Sequence, residues 1–257
     1  MRLVIDLKKS VEENASDYYE SAKKIKRKIE GAEIALKENL KKLDEIAQKK
    51  EKEQKKNSVK KDAKKEWYEK FRWFRSSENF LVVGGRDATS NEIVVKKHTD
   101  ANDLVFHTDM AGSPFFVVKS ENKEIGMATK REVADATCTF SRAWKLGLQT
   151  SPVFFVAPDQ VSKKTKSGEF MGKGAFMIYG KTNYMDNILN LAVGLTEDDK
   201  IMAGPLEAVK AHCKKFVEII QGSEKTSSIA KYLKHILNHD VDEIIRVLPS
   251  GTFKIKK

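Results

Sequence analysis

Cysteine is scarce in this chain: 257 residues hold only Cys138 and Cys213, far apart and without metal-ligand spacing. A disulfide framework and a cysteine-based zinc site are therefore not expected, and a reducing, cytoplasmic setting fits best. Long apolar runs are missing too. Nothing approaches the roughly 18 residues that a membrane span needs. The first residues turn charged at once, so no signal peptide is expected. Nucleophile elbow, HExxH, kinase and phosphate-loop signatures are all missing, and covalent chemistry has no visible anchor. The expectation is a protein that is not an enzyme and carries no metal or cofactor.

What is abundant is lysine. Formal net charge is +11, which favours an anionic partner, nucleic acid before membrane. Residues 49–65 hold nine lysines against three acids, a local excess of +6. Lys55, Lys56, Lys60 and Lys61 lie in this stretch and are candidate nucleic-acid contacts.

Periodicity divides the chain into an α+β protein. Apolar residues at Val11, Ala15, Tyr18, Ala22, Ile25, Ile29, Ala32, Leu36, Leu40, Leu43 and Ala47 form a heptad seam with one stutter, so residues 10–50 read as one helix. Ser10 is its expected N-cap, with Glu13 as capping-box partner. A second helix is read over 59–76, from Val59, Ala63, Trp67, Phe71 and Phe74. The pair makes a long antiparallel coiled-coil arm, residues 1–78, with a basic tip. At about 1.5 Å per residue the helices span roughly 60 and 27 Å. Half of the first seam is left uncovered, and a homodimer through that helix is one way to cover it.

From Phe80 the period becomes that of strands, read at 80–84, 91–97, 103–108, 114–119, 151–157, 174–180 and 186–194, with one helix over 130–146. This gives a mostly antiparallel sheet domain with a packed helix, residues 79–203. The remainder, 204–257, reads as helix 205–213, strand 215–220 and helices 227–238 and 241–247: a C-terminal α/β extension.

Several constellations bear on function. Gly84-Gly85-Arg86-Asp87 reads as a hairpin turn, placing Arg86 beside Lys96 and Lys97 at its mouth. His107 and Asp109 share one strand face with Asp103; as a pair they support a metal or a general base only weakly. Residues 163–181 carry five lysines against one glutamate, with Gly168, Gly172 and Gly174 softening the segment. A solvated loop and a nucleic-acid-tracking loop suit it equally. Lys119, Arg142, Lys163, Lys164, Lys173, Lys181 and His107 complete the candidate RNA contacts. Trp144 is expected in the core.

Residues 14–31 (NASDYYESAKKIKRKIEG), 66–92, 103–119 (DLVFHTDMAGSPFFVVK), 140–148 (FSRAWKLGL) and 160–184 (QVSKKTKSGEFMGKGAFMIYGKTNY) resemble, block by block and in order, the coiled coil and RNA-binding module of the NFACT family. The tail from Gly204 is similar to archaeal members. These are ribosome-quality-control factors, RqcH in prokaryotes and NEMF in animals. The resemblance implies binding to the stalled large ribosomal subunit and tRNA, where the family extends the nascent chain with a template-free C-terminal tail. The family's N-terminal domain carries the Asp-Arg motif for tailing, so tailing is not expected of this chain alone. Two other readings stay open: a structural dimerisation arm with an incidental basic surface, and a metal-dependent hydrolase built on His107 and Asp109.

Overall fold

The computed structural model describes residues 4–57, 65–164 and 171–256, without the side chains of 44–57. It divides into two compact units, Met1–Lys65 and Glu66–Lys257.

The first unit is built on one helix, α1 (Val11–Asn57). Its start is as expected. The Glu13 amide donates to Ser10 Oγ at 3.1 Å, and the Glu13 carboxylate accepts from the Ser10 amide at 2.8 Å. Asn14 locks the preceding turn, donating to the carbonyls of Asp6 and Ser10. Tyr18 Oη closes it, accepting from the Val4 amide and donating to the Val4 carbonyl. The seam is exposed at Val11, Ile25, Ile29, Leu36, Leu40 and Leu43.

The expected second helix, 59–76, needs correction. Residues 58–64 lie outside the described residues, and 65–70 are turn. Then comes a strand, β1 (Arg72–Arg75). It pairs antiparallel with β2 (Leu81–Gly84), Phe74 opposite Val82. The aromatic spacing that looked helical is set instead by tertiary packing, which overrides local propensity. Phe71 and Phe74 are buried in the globular core and Trp73 almost so.

A second correction follows at once. Residues 91–97 belong to a helix, α2 (Ala88–Lys97), and not to a strand. Asp87 caps it: its carboxylate accepts from the Ser90 amide at 2.7 Å, and Ser90 Oγ accepts from the Asp87 amide at 2.9 Å. Lys96 and Lys97 fall in its last turn, where the helix dipole favours cations. The Gly-Gly-Arg-Asp segment is thus a strand-to-helix junction. Gly85 is required there, because a Cβ would lie 1.9 Å from Asn91 Oδ1. Asn91 in turn accepts from the Phe115 amide and donates to the Ser113 carbonyl.

The chain continues through β3 (Leu104–Thr108), β4 (Phe116–Val118), α3 (Met127–Thr139), α4 (Arg142–Leu146) and β5 (Val153–Val156). The single helix expected over 130–146 breaks at Ser141, whose hydroxyl donates to the Cys138 carbonyl and accepts from the Ala143 amide. A short ribbon, β6 (Val161–Ser162) with β7 (Met177–Ile178), follows; the expected 174–180 strand shrinks to its two residues. Then come β8 (Asn183–Met185) and β9 (Leu191–Thr196). The strand expected over 186–194 begins only at Leu191. Asn187 interrupts the chain before it, donating to the carbonyls of Ser151 and Met185. Next are β10 (Ile201–Gly204), α5 (Leu206–His212), β11 (Cys213–Lys225), α6 (Thr226–Leu237), α7 (Val241–Val247) and β12 (Thr252–Ile255).

Two antiparallel sheets carry the second unit. One runs β1-β2-β4-β3-β5-β8, the other β10-β9-β11-β12. The second sheet joins residues on both sides of position 204: Val193 of β9 faces Val217 of β11. The tail is therefore part of the same packed body. One core runs through it, from Phe106 and Phe116 to Met202, Leu233 and Phe253, all under 2% exposed. Trp144 is buried as expected, its indole donating to the Thr252 carbonyl at 3.1 Å. Among the described residues no helix is long and apolar enough to cross a membrane.

Phe253 tests this shared core. Its ring is fully buried, 5.7 Å from that of Trp144. Phe253→Ala is expected to cost about 3–5 kcal/mol. Urea denaturation should show one transition shifted to lower denaturant. Loss of the tail alone, with the rest of residues 66–257 unchanged, would separate the tail from the core.

Candidate nucleic-acid interface

The capped start of α2 organises the basic residues around it. Arg86 sits immediately before the cap. Its amide donates to Ser90 Oγ at 2.7 Å, and its Nη2 to the Phe71 carbonyl at 3.2 Å. The junction therefore spends its backbone donors internally, and the side chain is what it offers. One turn further, Glu92 gathers the Lys-rich loop. Lys96 Nζ lies 2.6 Å from Glu92 Oε1, Lys163 Nζ lies 3.5 Å from Oε2, and the Gly174 amide donates to Oε2 at 3.3 Å. The Lys96 hydrogen bond, then that from Gly174, hold the Glu92 carboxyl down at about 2. Lys163 also lies over the Phe176 ring and donates to the Gly172 carbonyl. Gly174 has φ +78, and a Cβ there would come within 2.5 Å of Ala88 Cα, so the loop touches α2 backbone to backbone.

The Lys-rich loop thus packs on the start of α2, two residues beyond Arg86. Lys173 is exposed and its charge is felt by Asp87. Lys164 and Lys181 are exposed along the same loop. Lys96 and Lys163, by contrast, are paired with Glu92. Lys97 faces a hollow of ≈ 320 Å³, lined also by Trp67, Leu81, His98, Asp100, Lys119 and Glu121. Trp67 stacks on His98 there, ring centroids 4.2 Å apart. Burial first, then Lys70, Lys119 and Lys97, keep His98 below its ordinary range.

Other expected contacts have inward roles. Lys119 is 12% exposed and bonds Asp103, Asp100 at 2.6 Å and the His98 carbonyl at 3.1 Å. It closes the end of β3 and β4. His107 stacks on Phe115 at 4.0 Å, and its Nε2 donates to the Ser113 carbonyl at 3.3 Å. Burial lowers its pKa, against the pull of its backbone hydrogen bonds and Asp109. Asp109, the partner proposed for metal chemistry, instead accepts from Tyr184 Oη at 3.2 Å. Among the described residues no group of three His, Cys, Asp or Glu side chains could hold a metal ion. Arg142 is exposed at the start of α4, near Gly112. Lys60 and Lys61 lie outside the described residues, as do the side chains of Lys55 and Lys56.

The sequence reading passed over Arg72. Its Nη1 donates to the Leu248 carbonyl at 3.3 Å and its guanidinium lies 4.6 Å from the Phe140 ring centroid. Burial, then the charge of Arg86, bring it down to about 10. Burial and Arg246 lower Arg86 likewise, against the opposite pull of Asp87. An arginine assigned to a helical arm gave no sequence signal of this proximity.

Residues 70–180 match the NFACT protein RNA binding domain. The archaeal Rqc2 homolog aRqcH of Methanocaldococcus jannaschii is 41% identical over 211 residues, 79% of this chain and 31% of that protein. The chain belongs to the NFACT family. The ribosome quality control complex subunit NEMF of Homo sapiens is 38% identical over 177 residues, 67% of this chain and 16% of that protein. The chain thus spans less than a third of the length of these NFACT relatives. A solved structure, the C-terminal of the fibronectin/fibrinogen-binding protein from Streptococcus suis, aligns with 55% of this chain and 51% of that one, at 17% identity and TM-score 0.39. The NFACT match begins inside the turn before β1 and ends just after β7, so it contains Arg86 and the Lys-rich loop up to, but not including, Lys181.

Glu92 sets the pH behaviour of that loop. Its pKa in the folded chain lies below the ordinary 4.5. The contact is then at full strength above about pH 4.5 and is lost as pH falls toward 2. The Gly174 amide should stay protected from exchange at pH 5 and lose protection in acid. Glu92→Gln should speed its exchange at neutral pH. Unchanged protection in that variant, read by NMR, would release Glu92 from this role.

Proposed function

We propose that this chain is the RNA-binding part of a cytoplasmic ribosome-quality-control factor, contacting the large ribosomal subunit and tRNA and catalysing no reaction itself. The observation that carries the reading is the packing of the Lys-rich loop, with its exposed Lys173, on the start of α2 next to Arg86 in sequence, inside the matched RNA-binding domain. Lysines and arginines that neutralise phosphates release counterions, which gives sequence-independent, salt-sensitive affinity. The exposed Lys97, Lys164, Lys181 and Arg142 extend the candidate surface, whereas Lys119 and His107 support the scaffold. The lysines around 49–65 give the first unit a second, cationic anchor for an anionic partner.

Binding to large-subunit RNA should weaken steadily with salt. Arg86→Ala, Lys173→Ala and Lys181→Ala should each lower affinity modestly and flatten the log–log salt slope by about one. Changing Lys55, Lys56, Lys60 and Lys61 together to Glu should abolish association with the subunit without unfolding the chain. Parent-like affinity and slope in every variant would make these ordinary solvated cations.

A self-association reading rests on a separate observation, the exposed seam of α1. An apolar stripe of this length marks an interface, and a second copy pairing about a two-fold axis would cover it. Light scattering at micromolar concentration should give twice the monomer mass. A monomer mass with α1 fully helical by circular dichroism would end this reading.

A further inference from the structure

Three arginines from distant parts of the sequence meet where the first strand passes the tail. Arg72 of β1 bonds the carbonyl of Leu248, two residues beyond Arg246 of α7. Arg86 bonds the carbonyl of Phe71, the residue before Arg72. Among the described residues none of the three has a carboxylate within ion-pair distance. The Nε groups of Arg72 and Arg86 are both shut off from solvent without a hydrogen-bond partner. Asp87, the nearest acid in sequence, has its carboxylate occupied as the cap of α2. The like charges are near enough to depress one another.

Such an arrangement is unfavourable by itself. Clustered cations repel, and a buried unpaired N–H carries the full desolvation penalty of its group. Structural arginines of this kind are ordinarily matched by an acid. Among the described residues only the Asp87 charge acts against this repulsion, on Arg86, and no carboxylate pairs with the cluster. Each inner arginine spends one terminal nitrogen on a carbonyl, and among the described residues the other has no hydrogen-bond partner. Phe140 supports the flat face of Arg72, fixing the direction of its edge donors. Arg246 is exposed and leaves the cluster open to solvent. Planar guanidinium forks suit the oxygens of a phosphate group better than a point charge does.

We propose that Arg72, Arg86 and Arg246 form a phosphate-binding site. The phosphate is one carried by an RNA chain, or a free one of the same chemistry. The proposal rests on the RNA-binding reading only for the source of that phosphate.

Thermal melts of the full chain in inorganic phosphate, against chloride of equal ionic strength, test the site. Binding of a short RNA, with and without a 5′-phosphate, tests the source. Arg246→Gln is exposed and should fold normally; Arg86→Gln is the second variant, with circular dichroism as the control. Phosphate should raise the melting temperature beyond chloride. Each variant should weaken phosphate binding about tenfold, as expected for a lost charge-assisted contact. If the RNA affinity of Arg246→Gln falls in parallel, the site takes an RNA phosphate. If phosphate binding falls and RNA affinity does not, the site stands and serves a free phosphate. If RNA fails to bind at all while phosphate behaves as stated, the RNA reading fails and the site remains. No phosphate effect beyond chloride in the parent, or an equal effect in both variants, overturns the proposal whatever RNA does.

Discussion

The placement of Phe74 governs the second unit. Its ring is fully buried between two sheets. On one side it meets Phe116 of β4, ring centroids 6.4 Å apart. On the other it rests on β10, where a Cβ on Gly204 would come within 2.9 Å of the ring. Beside it, the Arg75 amide bonds Met202 Sδ of the same strand. Burial of one such ring stabilises by about 1.5–3 kcal/mol. Its larger effect is to fix β1 against both sheets. Phe116 continues to Phe140, and Phe140 to the guanidinium of Arg72. A single aromatic path thus leads from the core to the basic surface.

The second constraint is the cap of α2. Asp87 and Ser90 start the helix, and that start sets both Arg86 and Glu92. Glu92 then holds the loop that brings Lys173 close. Cations are placed here by a buried junction and a single carboxylate, so this basic surface is more ordered than its lysine content alone would make it. The same carboxylate pairs with Lys96, which stays exposed, and with the half-buried Lys163. A map of basic residues would therefore overstate the cations available to phosphate.

Much of this was legible in the sequence. The heptad period and the Ser10–Glu13 pair gave the start of α1, and alternation gave β2, β3 and β5 within a few residues. The family blocks gave the RNA-binding domain. The failures have two causes, distant packing and an overlooked local cap. Phe71 and Phe74, three apart, imitate a helix face; only pairing with β2 and packing on Gly204, far away in sequence, make them strand. Ile93-Val94-Val95 favour a strand by propensity, but the Asp87 cap overrules them. Asp87 and Ser90 were readable as a start signal, although the usual Glu or Gln three residues on is a serine here. The arginine cluster had no local signal, because Arg246 comes near Arg86, and Leu248 near Arg72, only through the fold.

The central claim is that the start of α2 and the Lys-rich loop together face RNA. Crosslinking the chain to purified large ribosomal subunits, then identifying the crosslinked peptides by mass spectrometry, tests it directly. Peptides spanning 86–97 and 171–181 should carry RNA adducts that high salt suppresses. Adducts confined to α6 and β12, or none at all under conditions where the chain cosediments with the subunit, would contradict the account.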